Sequence, residues 1–144
     1  MEVKNDDYCF ACGARNPIGL KLRFDVDAAA RTAVATFTPR PEHQGYADIT
    51  HGGILATVLD EAMMKLCRDL GIPAVTARLE VEFKRPATPG ETLTVRGWID
   101  ADRGRIIETR AEITASDGTL VARGRATAMV AGARRRPRPG PAPG

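Results

Sequence analysis

One segment of this chain departs from the pattern of all the rest, and that departure limits the folds available to it. From about Gly19 to Val130 apolar and polar residues largely alternate, the period of half-buried strands. Between Gly52 and Leu70 the period changes: Ile54, Leu55, Val58, Leu59, Ala62 and Leu66 recur at steps of three and four, which predicts a helix. Gly71 can close it in a left-handed cap, and Pro73 keeps it from restarting. At ~1.5 Å per residue the helix runs about 28 Å, the length of a whole small domain. A single helix that long is buried by a sheet only if the sheet curls around it. The expected class is therefore α+β: a curved antiparallel sheet wrapped around one long central helix.

The strands are expected at Leu20 to Val26, Arg31 to Thr38, Thr76 to Lys84, Glu91 to Asp100, Arg105 to Ala115 and Thr119 to Val130, giving the order β-β-α-β-β-β-β. In the third, Leu79, Val81 and Phe83 share one face, and Arg78, Glu80, Glu82 and Lys84 the other. Pro89-Gly90, Asp102-Arg103-Gly104 and Ser116-Asp117-Gly118 supply hairpin chemistry.

With 144 residues, 43% of them hydrophobic, the chain builds one domain and not two. We divide it into a leader (1–18), the domain (19–130) and an Arg/Pro/Gly-rich tail (131–144) expected to be disordered. The formal charge is +3, but Arg134, Arg135, Arg136 and Arg138 lie in the tail, and without them the rest carries about −1. A nucleic-acid surface is not expected, nor a membrane span, since no window approaches ~20 apolar residues. The polar, acidic opening Met1 to Asp7 does not resemble a secretion signal, and three cysteines are too few for a disulfide scaffold, so a cytoplasmic protein is expected.

Two acids sit side by side in the helix, and a wheel at ~100° per residue separates them. Glu61 shares a wedge with Lys65, Arg68 and Asp69, and reads as solvated surface paired with Lys65 at i,i+4. Asp60 instead keeps company with Gly53, Ala56, Met64 and Cys67, with Thr57 at the margin. An ionised carboxylate withdrawn from water costs several kcal/mol unless it is paired or hydrogen-bonded. Placed there it marks a functional group, the plainer alternative being a buried Asp that caps a loop.

The helix begins Thr50-His51-Gly52-Gly53. A first helical turn leaves its N–H groups without intrahelical partners, and glycines there admit a ligand oxyanion to them. Alternatively the glycines only permit a tight turn into the helix. His51 either shapes that turn, touches substrate, or is a hydrogen-bonded loop histidine. Gly53 and Asp60 are ~10 Å apart along one helix, so one carbonyl group cannot meet both. Two copies about a two-fold axis can supply one element each, and a dimer with composite sites is expected.

At these residues the chain resembles a hotdog-fold acyl-CoA thioesterase of the phenylacetate-pathway thioesterase-like group. The resemblance rests on His51-Gly52-Gly53, Leu55-Ala56, Asp60 nine residues after the histidine, Phe83-Lys84-Arg85-Pro86 and Pro89-Gly90-Glu91. The leader Cys9-Phe10-Ala11-Cys12-Gly13 with Asn16-Pro17-Ile18-Gly19-Leu20 adds to it. It implies a sheet wrapped around one helix, a homodimer doubled into a dimer of dimers, and hydrolysis of an acyl-CoA substrate without a metal. It further implies that the Gly53 amide polarises the thioester carbonyl while His51 and Gly52 shape the turn, and that Asp60 of the opposite subunit is the catalytic carboxylate, as general base or as nucleophile. Gln44, one residue further from His51 than the family pattern, would hold substrate or water, and Thr76 would position water. Lys84, Arg85, Arg123 and Arg125 either meet the coenzyme A phosphates or form an ordinary solvated face.

Cys9-x-x-Cys12 also invites a zinc reading. A structural site takes four ligands, the remaining candidates are His43, His51 and Cys67, and there is no second CxxC. Packing of the leader is the better reading, so neither metal nor cofactor is expected. Two other functions compete with hydrolysis. A non-catalytic acyl-CoA-binding or regulatory protein of the same fold would need no carboxylate at Asp60. A hotdog hydratase resembles a Gly-Asp-x-Asn-Pro-φ-His pattern, whereas Asn16-Pro17 is followed here by Ile18-Gly19 and no histidine.

Overall fold

The computed structural model describes residues 1–136. The elements follow the expected order: β1 (Asp25–Asp27), β2 (Thr32–Phe37), a 3₁₀ turn (Pro41–His43), α1 (Gly52–Asp69), β3 (Ala74–Phe83), β4 (Leu93–Asp102), β5 (Ile106–Ala115) and β6 (Leu120–Val130). The strands form one antiparallel sheet in the order β1-β2-β4-β5-β6-β3. The helix packs against β2, β3, β4, β5 and β6. This is the curved sheet around one helix that the change of period requires, the hotdog arrangement. No helix among the described residues is long and apolar enough to cross a membrane.

The packing follows the two periods. On β5, Ile107, Thr109, Ala111, Ile113 and Ala115 are buried and alternate with more open residues, as a pleated strand with one covered face must. From the helix, Leu55, Val58, Leu59, Ala62, Met63, Leu66 and Cys67 are buried against that face. Each large apolar side chain so covered contributes ~1.5–3 kcal/mol. Helix and sheet approach closely at Gly97 of β4, where a Cβ would lie 2.7 Å from the Ala62 carbonyl oxygen. The helix ends as its sequence predicts. Gly71 takes φ +79°, its N–H reaches Arg68 O at 3.0 Å, and the Ile72 N–H reaches Cys67 O at 2.9 Å, a Schellman closure.

Two expectations need correction. Leu20 to Phe24 is not a ladder strand, and only Asp25–Asp27 pairs with β2. The N–H groups of Leu20 and Leu22 are taken by the leader carbonyls of Phe10 and Ala11, at 2.8 and 2.9 Å, and Lys21 turns through φ +54°. Side chains still alternate in and out, but the backbone partner is the leader, whose Ala11 is buried in the core. Leu79 and Phe83, expected on the covered face of β3, are 36% and 53% exposed, because β3 is an edge strand with a bulge between Thr76 and Arg78. The start of the tail lies against the domain: Ala131 N–H bonds Pro73 O, Arg135 N–H bonds Gly71 O, and Arg134 grips Asp102 with both terminal nitrogens. The remainder, 137–144, lies outside the described residues.

Candidate active site

The turn into α1 is built by backbone bonds. The His51 N–H donates to His43 O at 2.8 Å, and the Thr50 N–H donates to Ala87 O at 2.8 Å. His43 is buried against Phe37, with ring centroids 5.8 Å apart, and its Nδ1 accepts the Arg40 N–H at 3.0 Å. Burial holds its pKa below the ordinary histidine value. His43 is thus a structural histidine that fixes where His51 begins the helix.

His51 is the N-cap, and its Nδ1 accepts the N–H of Gly53 at 2.9 Å. The Gly53 amide therefore does not stand bare, as the glycine pair suggested; the exposed imidazole two residues earlier satisfies it. A Cβ on Gly53 would lie 3.0 Å from that Nδ1, so the absence of a side chain is what lets the ring fold over. At Gly52 a Cβ would meet the Phe83 ring at 3.3 Å, which makes β3 the neighbour of the helix start.

Asp60 lies half-buried on the side of α1 that faces β3, where the Thr76 hydroxyl donates to its Oδ1 at 2.6 Å. Among the described residues it has no cationic partner. Burial pushes its pKa above the usual aspartate value, and the Thr76 hydrogen bond offsets part of that rise. The sequence named both residues but held no signal joining them, since one is helical and the other follows on a strand.

Glu61 contradicts the solvated reading. The leader folds over it, with Cys9 Sγ 3.8 Å from its Oε2, and burial raises its pKa as well. Its expected partner Lys65 binds Asp69 instead, at 2.6 and 2.8 Å. The wheel placed Glu61 on the right face but could not show what covers that face.

The remaining candidates lie apart from these two centres. Gln44 is exposed, and its Oε1 accepts the Asp48 N–H at 3.2 Å within the preceding loop. Lys84 binds Glu82 at 2.8 Å, and Arg85 binds Glu91 through two nitrogens, bracing the Pro89-Gly90 turn. Arg123 and Arg125 pair across the sheet with Glu82 and Glu80. All four cations already hold carboxylates. The cavity of about 530 Å³ also lies elsewhere, between the N-terminal residues, Glu61, Arg68 and Ala131 to Arg136.

One open antiparallel sheet curved around a single long helix defines a hotdog fold, and Asp60, without a counter-ion among the described residues, lies on that helix. The sequence profile of the thioesterase superfamily matches residues 47–122, which span the helix start, Asp60 and Thr76. The chain belongs to the thioesterase superfamily, and is by that membership a thioester hydrolase. Human acyl-coenzyme A thioesterase 13 is 28% identical over 105 residues, covering 71% of this chain and 75% of the human protein. Two solved structures share the fold. The PaaI protein of the E. coli phenylacetic acid degradation operon superposes with a TM-score of 0.72 at 24% identity, covering 80% of this chain and 83% of that one. A Streptococcus pneumoniae thioesterase protein, solved with coenzyme A, gives 0.73 at 21% identity, covering 79% and 88%.

Proposed function

We propose that this chain hydrolyses an acyl-CoA thioester to the free acid and coenzyme A, with Asp60 as the reacting carboxylate and the Gly53 amide as oxyanion donor. The observation that carries the reading is Asp60 itself: partly desolvated, free of any cation among the described residues, and oriented by Thr76. Acting as a base, the carboxylate accepts a proton from water as that water attacks the carbonyl carbon. Acting as a nucleophile, it bonds to that carbon and is later released by water. In both routes the carbonyl oxygen gains negative charge, which a helix N-terminal N–H stabilises, and the intermediate collapses by expelling the coenzyme A thiolate. The thiolate is a good leaving group, so no strong acid is needed to protonate it. For Gly53 to serve, the His51 ring must rotate away and yield its hydrogen bond to the substrate oxygen. The ring is exposed, so that rotation does not disturb the buried core.

The two elements belong to different copies of the chain in this proposal. Edge strand β3 supports it, having ten residues, one unpaired side and exposed Leu79 and Phe83. It also carries Thr76 and touches the helix start through Phe83. Pairing β3 with its two-fold mate would draw one Asp60 toward the other copy's Gly53. Doubling that dimer completes the proposed dimer of dimers. The direct test is release of free thiol from short, medium, long and aromatic acyl-CoAs. Turnover of at least one is expected; binding without turnover of any would favour the non-catalytic acyl-CoA-binding reading.

A further inference from the structure

The leader carries a cluster that the proposed hydrolysis does not use. Cys9, Cys12 and Glu61 bring two sulfurs and a carboxylate oxygen within 4.8 Å of one another, each residue partly buried. Counting ligands along the sequence missed this set because its third member stands on α1, 49 residues beyond Cys12. From these residues we propose a binding site for a thiophilic divalent cation, Zn²⁺ by its chemistry, that staples the leader to the central helix.

The arrangement fits that ion in three respects. Ligand atoms around a tetrahedral zinc, at ~2.3 Å for sulfur and ~2.0–2.2 Å for oxygen, lie about 3.4–3.8 Å from one another. Cys9 Sγ and Glu61 Oε2 are already 3.8 Å apart, so closing the set requires movements of only ~1 Å. Thiolates select zinc over the hard cations magnesium and calcium. The loop that presents them is held by its own backbone. The Gly13 N–H donates to Cys9 O at 2.8 Å, and a Cβ at Gly13 would lie 2.6 Å from that oxygen, so the turn after Cys12 requires glycine.

The charges balance as well. Two thiolates and a carboxylate bring three negative charges; the ion cancels two, and Arg68, whose Nη2 lies 3.5 Å from Cys12 Sγ, cancels the third. Cys9 and Glu61 also line the cavity of about 530 Å³, from which water can complete the fourth position.

Cobalt(II), the spectroscopic substitute for zinc, is the probe. Titrated into the reduced, full-length chain, it is expected to give a thiolate-to-metal charge-transfer absorption saturating at one ion per chain and displaced by zinc. Cys9→Ser and Cys12→Ser should abolish that absorption, and Glu61→Gln should weaken binding by at least ~10-fold. On the wild-type chain alone, zinc should protect Cys9 and Cys12 from alkylation, mapped by mass spectrometry, while buried Cys67 is unaffected. Absence of the absorption, binding unchanged in the variants, or alkylation of Cys9 and Cys12 unchanged by zinc would overturn the proposal. None of these readouts involves thioester turnover, so this site and the hydrolysis stand or fall separately.

Discussion

The hydroxyl of Thr76, on the first half of β3, donates to Asp60 Oδ1 in the middle of α1 at 2.6 Å. That bond stabilises the charged form of a carboxylate that burial makes harder to ionise. Since a base or nucleophile must be ionised, kcat/KM should fall as pH drops through the pKa of Asp60, which lies above the ordinary aspartate value. Thr76→Ala removes the bond and should move this acid limb upward by about one to two pH units, a hydrogen bond to a charged group being worth ~1.5–3 kcal/mol. Thr76→Ser should leave the limb near its original place. A limb unmoved by Thr76→Ala would mean that the bond is structural only.

The composite site predicts complementation. Gly53→Pro removes the donor N–H, which in the first turn bonds no helical carbonyl. That N–H does bond the His51 cap, so the variant also gives up the cap, worth ~1 kcal/mol, and its fold is checked first. It and Asp60→Asn should each be inactive alone. Mixed and allowed to exchange subunits, the two should regain activity, because a mixed dimer holds one intact pair. Failure to regain any activity, with subunit exchange verified, would place both groups in one chain.

Edge strand β3 should hold the dimer together. Phe83→Asp and Leu79→Lys put charges on its exposed apolar positions and should shift the protein toward monomer in light-scattering chromatography. Activity should fall in step with the dimer fraction. Monomers with full turnover would separate assembly from catalysis.

The folded start of the tail gives a test in acid. Arg134, with help from Arg31, holds the Asp102 pKa far below the ordinary carboxylate value. A depressed carboxylate stabilises the fold above its unfolded pKa, near 3.9, and loses that contribution as pH falls through the folded value. Arg134→Ala should therefore lower Tm at pH 7 by a small amount, the pair being largely exposed and worth at most ~1 kcal/mol. The difference between variant and wild type should shrink below about pH 4 as Asp102 protonates in the variant's folded state and in both unfolded states.

How much of this could be read from the sequence depended on whether the governing contact was local. The helix, its Gly71 cap and the hairpin turns are set by residues a few positions apart, and they stand where expected. Leu20 to Phe24 keeps a strand's alternation without its ladder, because alternation reports which side is covered and not which backbone does the pairing. Leu79 and Phe83 look like core residues for the same reason: a periodic apolar face does not reveal whether its cover comes from the same chain. At the site, the isolation of Asp60 was visible on the helical wheel, since it concerns residues of one helix. The Thr76 bond, the His51 cap on Gly53 and the burial of Glu61 under the leader depend on how loops return, which spacing does not encode.

The most direct measurement is thiol release by Asp60→Asn beside the wild type, on whichever acyl-CoA the wild type turns over, with circular dichroism to confirm the fold. Loss of a reacting acid–base group should lower kcat/KM by at least ~100-fold while the spectrum is unchanged. A folded Asp60→Asn protein that hydrolyses its substrate at a rate close to that of the wild type would contradict the account.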